Sequence, residues 1–261
     1  MDEKQEIVQK KAKRHAGAII SWVFVVLIII IAGGLLYLHF SKPSAQDALN
    51  SAAKTNIHSI RSTIITKQNA KKKNSETLNY EVKGNTVHIT NRFVPENKDQ
   101  EQETWITGNK FYFLNNGQWN YMERNSLTNT FISTSMATYK KLFTGHDFSK
   151  LSKSAMNKFK VNLDGLDGYT LTYKGNDKDV IKGIQRVASG DNSSDASQIK
   201  NVDVTIKINR QKELVDYKVF YTLAHTNGTT SIHLTDINQV NKLTLPSKVK
   251  KATKIVTPNL R

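Results

Sequence analysis

Cysteine is absent from the 261 residues. An exported domain of this size would be held by its own core rather than by disulfides. No thiol is available as a nucleophile, and no cysteine follows the N-terminal apolar run to take a lipid anchor. Catalytic signatures are missing as well: the chain has no HExxH or comparable metal-ligand spacing, no GxSxG, no P-loop and no GxGxxG. The histidines are His15, His39, His58, His88, His146, His225 and His233, and His88 and His233 fall on the polar parity of strands. Asp164 and Asp167, in LDGLDG, lack the alternating oxygen ligands of an EF-hand loop and read as two turns. These absences predict a protein that is not an enzyme, with no cofactor and no metal. Acid is scarce too, 22 Asp and Glu against 38 Lys and Arg, for a net charge of +16. Such a balance speaks to partners rather than to fold. No zinc-finger or RNP pattern accompanies it, so nucleic acid is not expected.

One long apolar run is present, Ala16 to Leu38, AGAIISWVFVVLIIIIAGGLLYL. As a helix it measures roughly 35 Å at about 1.5 Å per residue, against a bilayer core of about 30 Å. Lys10, Lys11, Lys13 and Arg14 precede it and only Lys42 follows closely, which keeps the N-terminus cytoplasmic. The expected layout is a cytoplasmic tail over 1–15, a transmembrane helix over 16–38, a linker over 39–45 and an extracytoplasmic domain over 46–261. The competing reading is a cleaved signal peptide, with Pro43-Ser44-Ala45 as a small-residue site. The tail is net +2, so +14 lies beyond it. Disulfide-free export leans towards a bacterium, and a Gram-positive cell membrane is the expected location. Lys71, Lys72 and Lys73, with Lys250 and Lys251, are candidates for contact with anionic lipid or teichoic acid. The alternative for each group is a solvated loop or tail.

Beyond the linker, two periodicities alternate. Ala45, Leu49, Ala53, Ile57 and Ile60 recur at helical spacing, which predicts a helix from Gln46 to Ser59. Leu78, Tyr80 and Val82, then Val87, Ile89 and Phe93, alternate with polar residues across Lys83-Gly84-Asn85, a hairpin with one wet and one dry face. Further hairpins follow over 104–122. Residues 126–159 read as two helices separated by Gly145, the second carrying Phe148, Leu151, Ala155, Met156 and Phe159. Tyr169, Leu171 and Tyr173 share a strand face, and 177–189 reads as a short helix. Val202 to Ile208, Val215 to Leu223 and Thr230 to Leu234 are three long alternating strands. The pattern predicts an α+β domain: a strongly curved antiparallel sheet with helices over its dry face.

Three segments carry a family resemblance: ALNSAAKTNIHSIRS (Ala48 to Ser62), TWITGNKFYFLNNGQWNYM (Thr104 to Met122), and Val202 to Thr253, in which Asn238 to Asn241 precede a buried strand and Pro246. In their order and spacing they resemble the LolA/LppX-type lipoprotein fold, in particular its Gram-positive relatives of unknown function. The resemblance implies a half-open β-barrel with helices as a lid over an apolar cavity, and a lipid as ligand. Its relatives are mostly anchored through a lipidated cysteine, whereas this chain carries the apolar helix. Trp105, Phe111, Phe113, Trp119, Tyr121, Tyr169, Tyr217 and Tyr221 on strands, with Phe131 and Met136 from the lid, are the candidate cavity residues. The alternative is that these aromatics fill a solid core, and that the domain is a wall-side protein-interaction or accessory module acting through its basic surface.

Overall fold

The computed structural model describes residues 24–34, 42–68, 74–94, 100–124, 133, 146–189, 198–226 and 228–255. The chain divides at Lys42–Pro43 into two compact units. In the first, residues 24–34 are helical (α1), and Phe24 to Ile31 are exposed. The rest of the expected span 16–38 and the expected tail lie outside the described residues. Among the described residues no helix is long and apolar enough to cross a membrane.

The second unit is built on one open, curved sheet. Its strands are β1 (Ser59–Lys67), β2 (Ser75–Lys83), β3 (Thr86–Val94), β4 (Gln100–Thr107), β5 (Lys110–Asn115), β6 (Gln118–Glu123), β7 (Lys160–Asp164), β8 (Gly168–Gly175), β9 (Ile199–Asn209), β10 (Leu214–Leu223), β11 (Thr229–Thr235) and β12 (Thr253–Lys254). They lie in the order β12-β6-β5-β4-β3-β2-β1-β11-β10-β9-β8-β7. Pairing is antiparallel except for β12, which runs parallel to β6. The alternation read from the sequence accounts for the hairpins. At the β5–β6 turn Asn116 (φ 49°) and Gly117 (φ 76°) are both left-handed, as a two-residue type I′ turn requires. The sheet stays unclosed, with β7 and β12 at its edges.

Helix α2 (Ala45–Ala52) starts at Ser44, whose Oγ accepts the Asp47 N–H at 3.1 Å. It stops at Ala52, seven residues short of the expected end. The next residues are committed to other partners: the Leu214 N–H donates to Thr55 Oγ1 (2.8 Å), and Asn238 Nδ2 donates to the Asn56 carbonyl (2.8 Å). The helix expected around Phe148–Phe159 is also split. A 3-10 turn (Phe148–Lys150) ends at extended Leu151, and Ser152 caps a new short helix, α3 (Lys153–Met156). Helix α4 (Lys178–Ser189) matches its expectation; Asp177 accepts the N–H groups of Asp179 and Val180 and pairs with Lys158. Leu49, Phe148, Met156 and Ile184 belong to the same buried core as Leu171, Val204 and Tyr217 on one sheet face, with Phe148 edge-on to Tyr217 at 5.1 Å.

A second, smaller core lies on the opposite face. Trp105, Tyr112 and Trp119 are covered by Leu243, Leu245 and Val249 of the C-terminal strap, which includes helix α5 (Ser247–Lys250). The stretch before Pro246 is irregular rather than the expected strand, because its leucines pack onto aromatic rings instead of joining a ladder. A chain of polar contacts crosses the same face: Asp236 to Arg61 (2.6 Å), Arg61 to Glu81 (2.5 Å), Glu81 to His88 (3.4 Å), His88 to Glu103 (3.2 Å) and Glu103 to Lys248 (3.2 Å). Burial pushes the Glu103 carboxyl up. Hydrogen bonds from Trp105 and Lys248, with the charges of Lys248 and His88, outweigh that and hold it below the usual 4.5.

Two outcomes are expected from this architecture. A Cβ on Gly168 would lie 1.9 Å from the Ile208 carbonyl oxygen of the paired strand, so Gly168→Ala should lower stability by about 1–3 kcal/mol through overpacking. Chemical denaturation gives that value directly, and an unchanged midpoint would refute the close approach. Because Glu103 is depressed in the folded state, its stabilisation is complete above pH 4.5 and is lost as pH falls through the folded value. Glu103→Gln should therefore cost roughly 1 kcal/mol at neutral pH, discounted for partial exposure, and flatten the acid limb of melting temperature against pH. An acid limb identical to wild type would contradict this.

Candidate functional site

The registers around β1 line up the inner sheet face, the one the helices cover, in rows. The deepest row over β1–β5 is Ile60, Val82, Val87, Ile106 and Phe111, all buried. The next holds Ser62, Tyr80, Ile89, Thr104 and Phe113, and the one after that Ile232, Ile64, Leu78 and Asn91. The last is polar apart from Phe93: Tyr221, Thr230, Thr66, Glu76 and Phe93. On β1–β3 exposure rises along this sequence, whereas Tyr221 on β10 stays buried. Tyr80, Phe113, Ile64, Leu78 and Ile232 are half-buried, and Phe93 is 37% exposed. Six residues at about 3.3 Å each separate the first row from the last, a length of about 20 Å. The result is an apolar trough with a buried floor and a polar rim.

Under the helices the same face is filled. Tyr217 (1% exposed), Leu171, Val204 and Val219 are fully packed there. Between filled half and trough lie polar atoms without hydrogen-bond partners: Ser62 Oγ, Tyr217 Oη and Tyr221 Oη, with Asn91 Oδ1 further along the trough. Ser62 stands between Tyr80 and Leu234 in its row and is 1% exposed. Burial drives the Tyr217 hydroxyl well above the usual phenol value, with Tyr221 adding to it, and burial raises Tyr221 as well. Both therefore stay neutral donors and acceptors. An unpaired buried hydroxyl costs about 1–3 kcal/mol, so a donor or acceptor brought within reach of these atoms would be stabilising.

The ten expected cavity residues separate. Phe111 and Phe113 line the trough, and Tyr169, Tyr217 and Tyr221 lie on the same inner face, Tyr217 among the helix-covered core. Trp105, Trp119 and Tyr121 are on the other face, under the C-terminal strap, and so cannot share a cavity with Phe111 and Phe113. Parity decides it: Trp105 stands between Thr104 and Ile106, which both face inward. Trp105 stacks on His88 at 4.0 Å, and Tyr112 packs on Tyr121 at 5.5 Å. Phe131, Met136, Lys71, Lys72 and Lys73 lie outside the described residues. Lys250 and Lys251 are exposed on the strap, beside Lys248 and Lys254, which pair with Glu103 and Glu123. The turn acid Asp164 is bound to Lys207 (3.0 Å) and to Thr170 (3.0 Å), and His233 to Asp216 (2.8 Å). Ser62, Ile64, Glu76, Leu78, Tyr80, Asn91 and Ile232 were not expected in the site. Strand parity was the signal for Leu78 and Tyr80, whereas the significance of Ser62 and Asn91 comes only from their unpaired atoms.

Among solved structures, LprF from Mycobacterium bovis is similar at 14% identity and a TM-score of 0.38, over 80% of this chain and 99% of that one. A LolA superfamily protein from Nitrosomonas europaea is similar at 10% identity and a TM-score of 0.24, over 79% of this chain and 97% of its own. At these scores nothing about function follows from either likeness. No curated protein matches. Residues 43–254, the sheet with its helices and strap, match a family of unknown function (DUF6612), and the chain belongs to that family.

Proposed function

We propose that this domain is a non-enzymatic binding protein that holds an apolar ligand, a lipid acyl chain, in the trough over β1–β5. The observation that carries the reading is the graded burial of the inner face. Tyr217, Leu171 and Val204 on that face are fully buried, while Ile64, Leu78, Tyr80, Phe113 and Ile232 are only partly buried and lie in adjoining rows. The trough's length of about 20 Å suits an acyl chain, which fills one leaflet of a core of about 30 Å. Each methylene taken from water there is worth about 0.8 kcal/mol. The apolar run over 16–38 would tether the domain to the extracytoplasmic side of a Gram-positive cell membrane, which favours presenting or sensing a lipid over diffusing with one.

A second reading has its own observation. Lys242, Lys250 and Lys251 are exposed on the strap, on the face opposite the trough, and suit an anionic wall polymer or membrane surface. Native mass spectrometry with lipid extraction of the purified protein separates the two. The trough reading expects a stoichiometric adduct of lipid mass, lost in Leu78→Trp or Ile64→Trp and kept in a Lys250→Ala/Lys251→Ala double variant. A clean mass that persists after incubation with lipid, together with salt-sensitive binding to teichoic acid that the double lysine variant abolishes, would replace the trough reading with the surface one.

A further inference from the structure

Charge is distributed unevenly between the two sheet faces. The chain carries 38 lysines and arginines. The strand registers put Arg61, Lys83, Arg92, Lys207 and Lys218 on the outer face. Among the described residues no Lys, Arg or His occupies the inner parity of β1–β6, β8, β10 or β11, nor that of β9 between Val202 and Ile208. The one carboxylate on the inner parity of the trough strands is Glu76, in the rim row. Asn91 Nδ2 donates to Glu76 Oε1 at 3.0 Å. That bond fixes the amide, because the flipped orientation would set oxygen against carboxylate. Asn91 Oδ1 is left buried and without a partner, one row deeper than Glu76. Glu76 and Asn91 Oδ1 thus supply one anion and one unpaired acceptor near the mouth, beside the hydroxyls of Thr66, Thr230 and Tyr221, which can donate or accept.

On the reading that the trough holds an acyl chain, we propose that Glu76 and Asn91 set its specificity: the site takes a lipid whose polar end donates hydrogen bonds and carries no negative charge, and rejects a free carboxylate. A hydroxyl of an acylglycerol has the donor that Asn91 Oδ1 lacks. A fatty acid has none when ionised, and its head would meet Glu76 in a partly desolvated site, where like charges repel several-fold more strongly than in water. Deeper along these strands the head meets the hydroxyls of Ser62 and Tyr217 but, among the described residues, no counter-charge. The lysines of the β1–β2 connection, Lys71 to Lys73, lie outside the described residues, and substitutions at Glu76 leave them untouched.

The test uses the full chain in a lipid-free detergent and two photo-crosslinking probes with one identical acyl chain, the free acid and its monoglyceride. Labelled peptides are mapped and quantified. The monoglyceride should label β1–β5 at least about tenfold more than the acid at neutral pH. Glu76→Gln should shrink that ratio, Glu76→Lys should invert it, and Asn91→Leu, which removes the unpaired acceptor, should lower labelling by the monoglyceride. Thermal melts of each variant confirm folding, and Glu76→Gln keeps the test open if Glu76→Lys does not fold. Equal labelling by both probes in the unmodified protein, or a ratio unmoved by Glu76→Gln, overturns the specificity while leaving the acyl site standing. Labelling of the trough by neither probe overturns the acyl site and the specificity with it.

Discussion

The placement of every side chain in the trough depends on the register of β1 with its two neighbours. Ser62 faces Tyr80 on one side and Leu234 on the other, and Ile64 faces Leu78 and Ile232. A slip of one residue in either pairing would turn the inner set outward, because side chains alternate with a period of two. β1 joins two meanders, β2–β6 on one side and β7–β11 on the other, that are remote in sequence. The loop that must close before β1 meets β11 is more than 150 residues long, so the pairing is set by burial of the inner face and not by a turn. Once it is made, the described helices share one core with Leu171, Val204 and Tyr217 of the β7–β11 side and with Ile60, Val82 and Val87 of the β1–β5 side, where Ile64, Leu78 and Tyr80 stay only partly buried.

The outer face is managed by different means. Its arginines and lysines pair with Glu81, Glu103, Glu123 and Asp164 across strands, and its aromatics are gathered under a strap instead of being left in water. β12 covers the β6 edge, which would otherwise present unpaired backbone groups. Lys248 links these devices, since it reaches Glu103 and lies 5.7 Å from the Trp119 ring. The strap thus gathers Trp105, Tyr112 and Trp119 under cover, while Phe220 on the same face stays 39% exposed.

Most strands were legible because alternation with turn dipeptides is a local signal. Val202 to Ile208 and Val215 to Leu223 could be placed without any partner in view. The helices were less so. The stripe Ala45, Leu49, Ala53, Ile57, Ile60 fits one long helix, yet Thr55 and Asn56 bond to residues some 160 and 180 positions away, a constraint no local window contains. The site was legible only in part. Phe111 and Phe113 were identified as lining residues, but Trp105, Trp119 and Tyr121 were grouped with them on aromatic character alone. Strand parity would have separated them: Trp105 alternates with Thr104 and Ile106. Glu76 and Asn91 gave no signal, being ordinary polar residues in a strand until their contact and the unpaired oxygen are seen.

The contrast between the two halves of the inner face bears on why the trough exists at all. A sheet of this size can bury its dry face completely, as the β7–β11 side does with Tyr217, Val204 and Leu171 under α2, α3 and α4. Completing that packing over Ile64, Leu78 and Tyr80 would add stability at about 25 cal/mol per Å². Ser62 Oγ and Asn91 Oδ1 are already buried there without partners, at a cost of about 1–3 kcal/mol each that an apolar cover would leave unrelieved. An amphiphile resolves both demands at once, with a chain for the leucine and isoleucine walls and a donor for the amide oxygen. For the proposed ligand, the unpaired polar atoms thus favour one that has both parts.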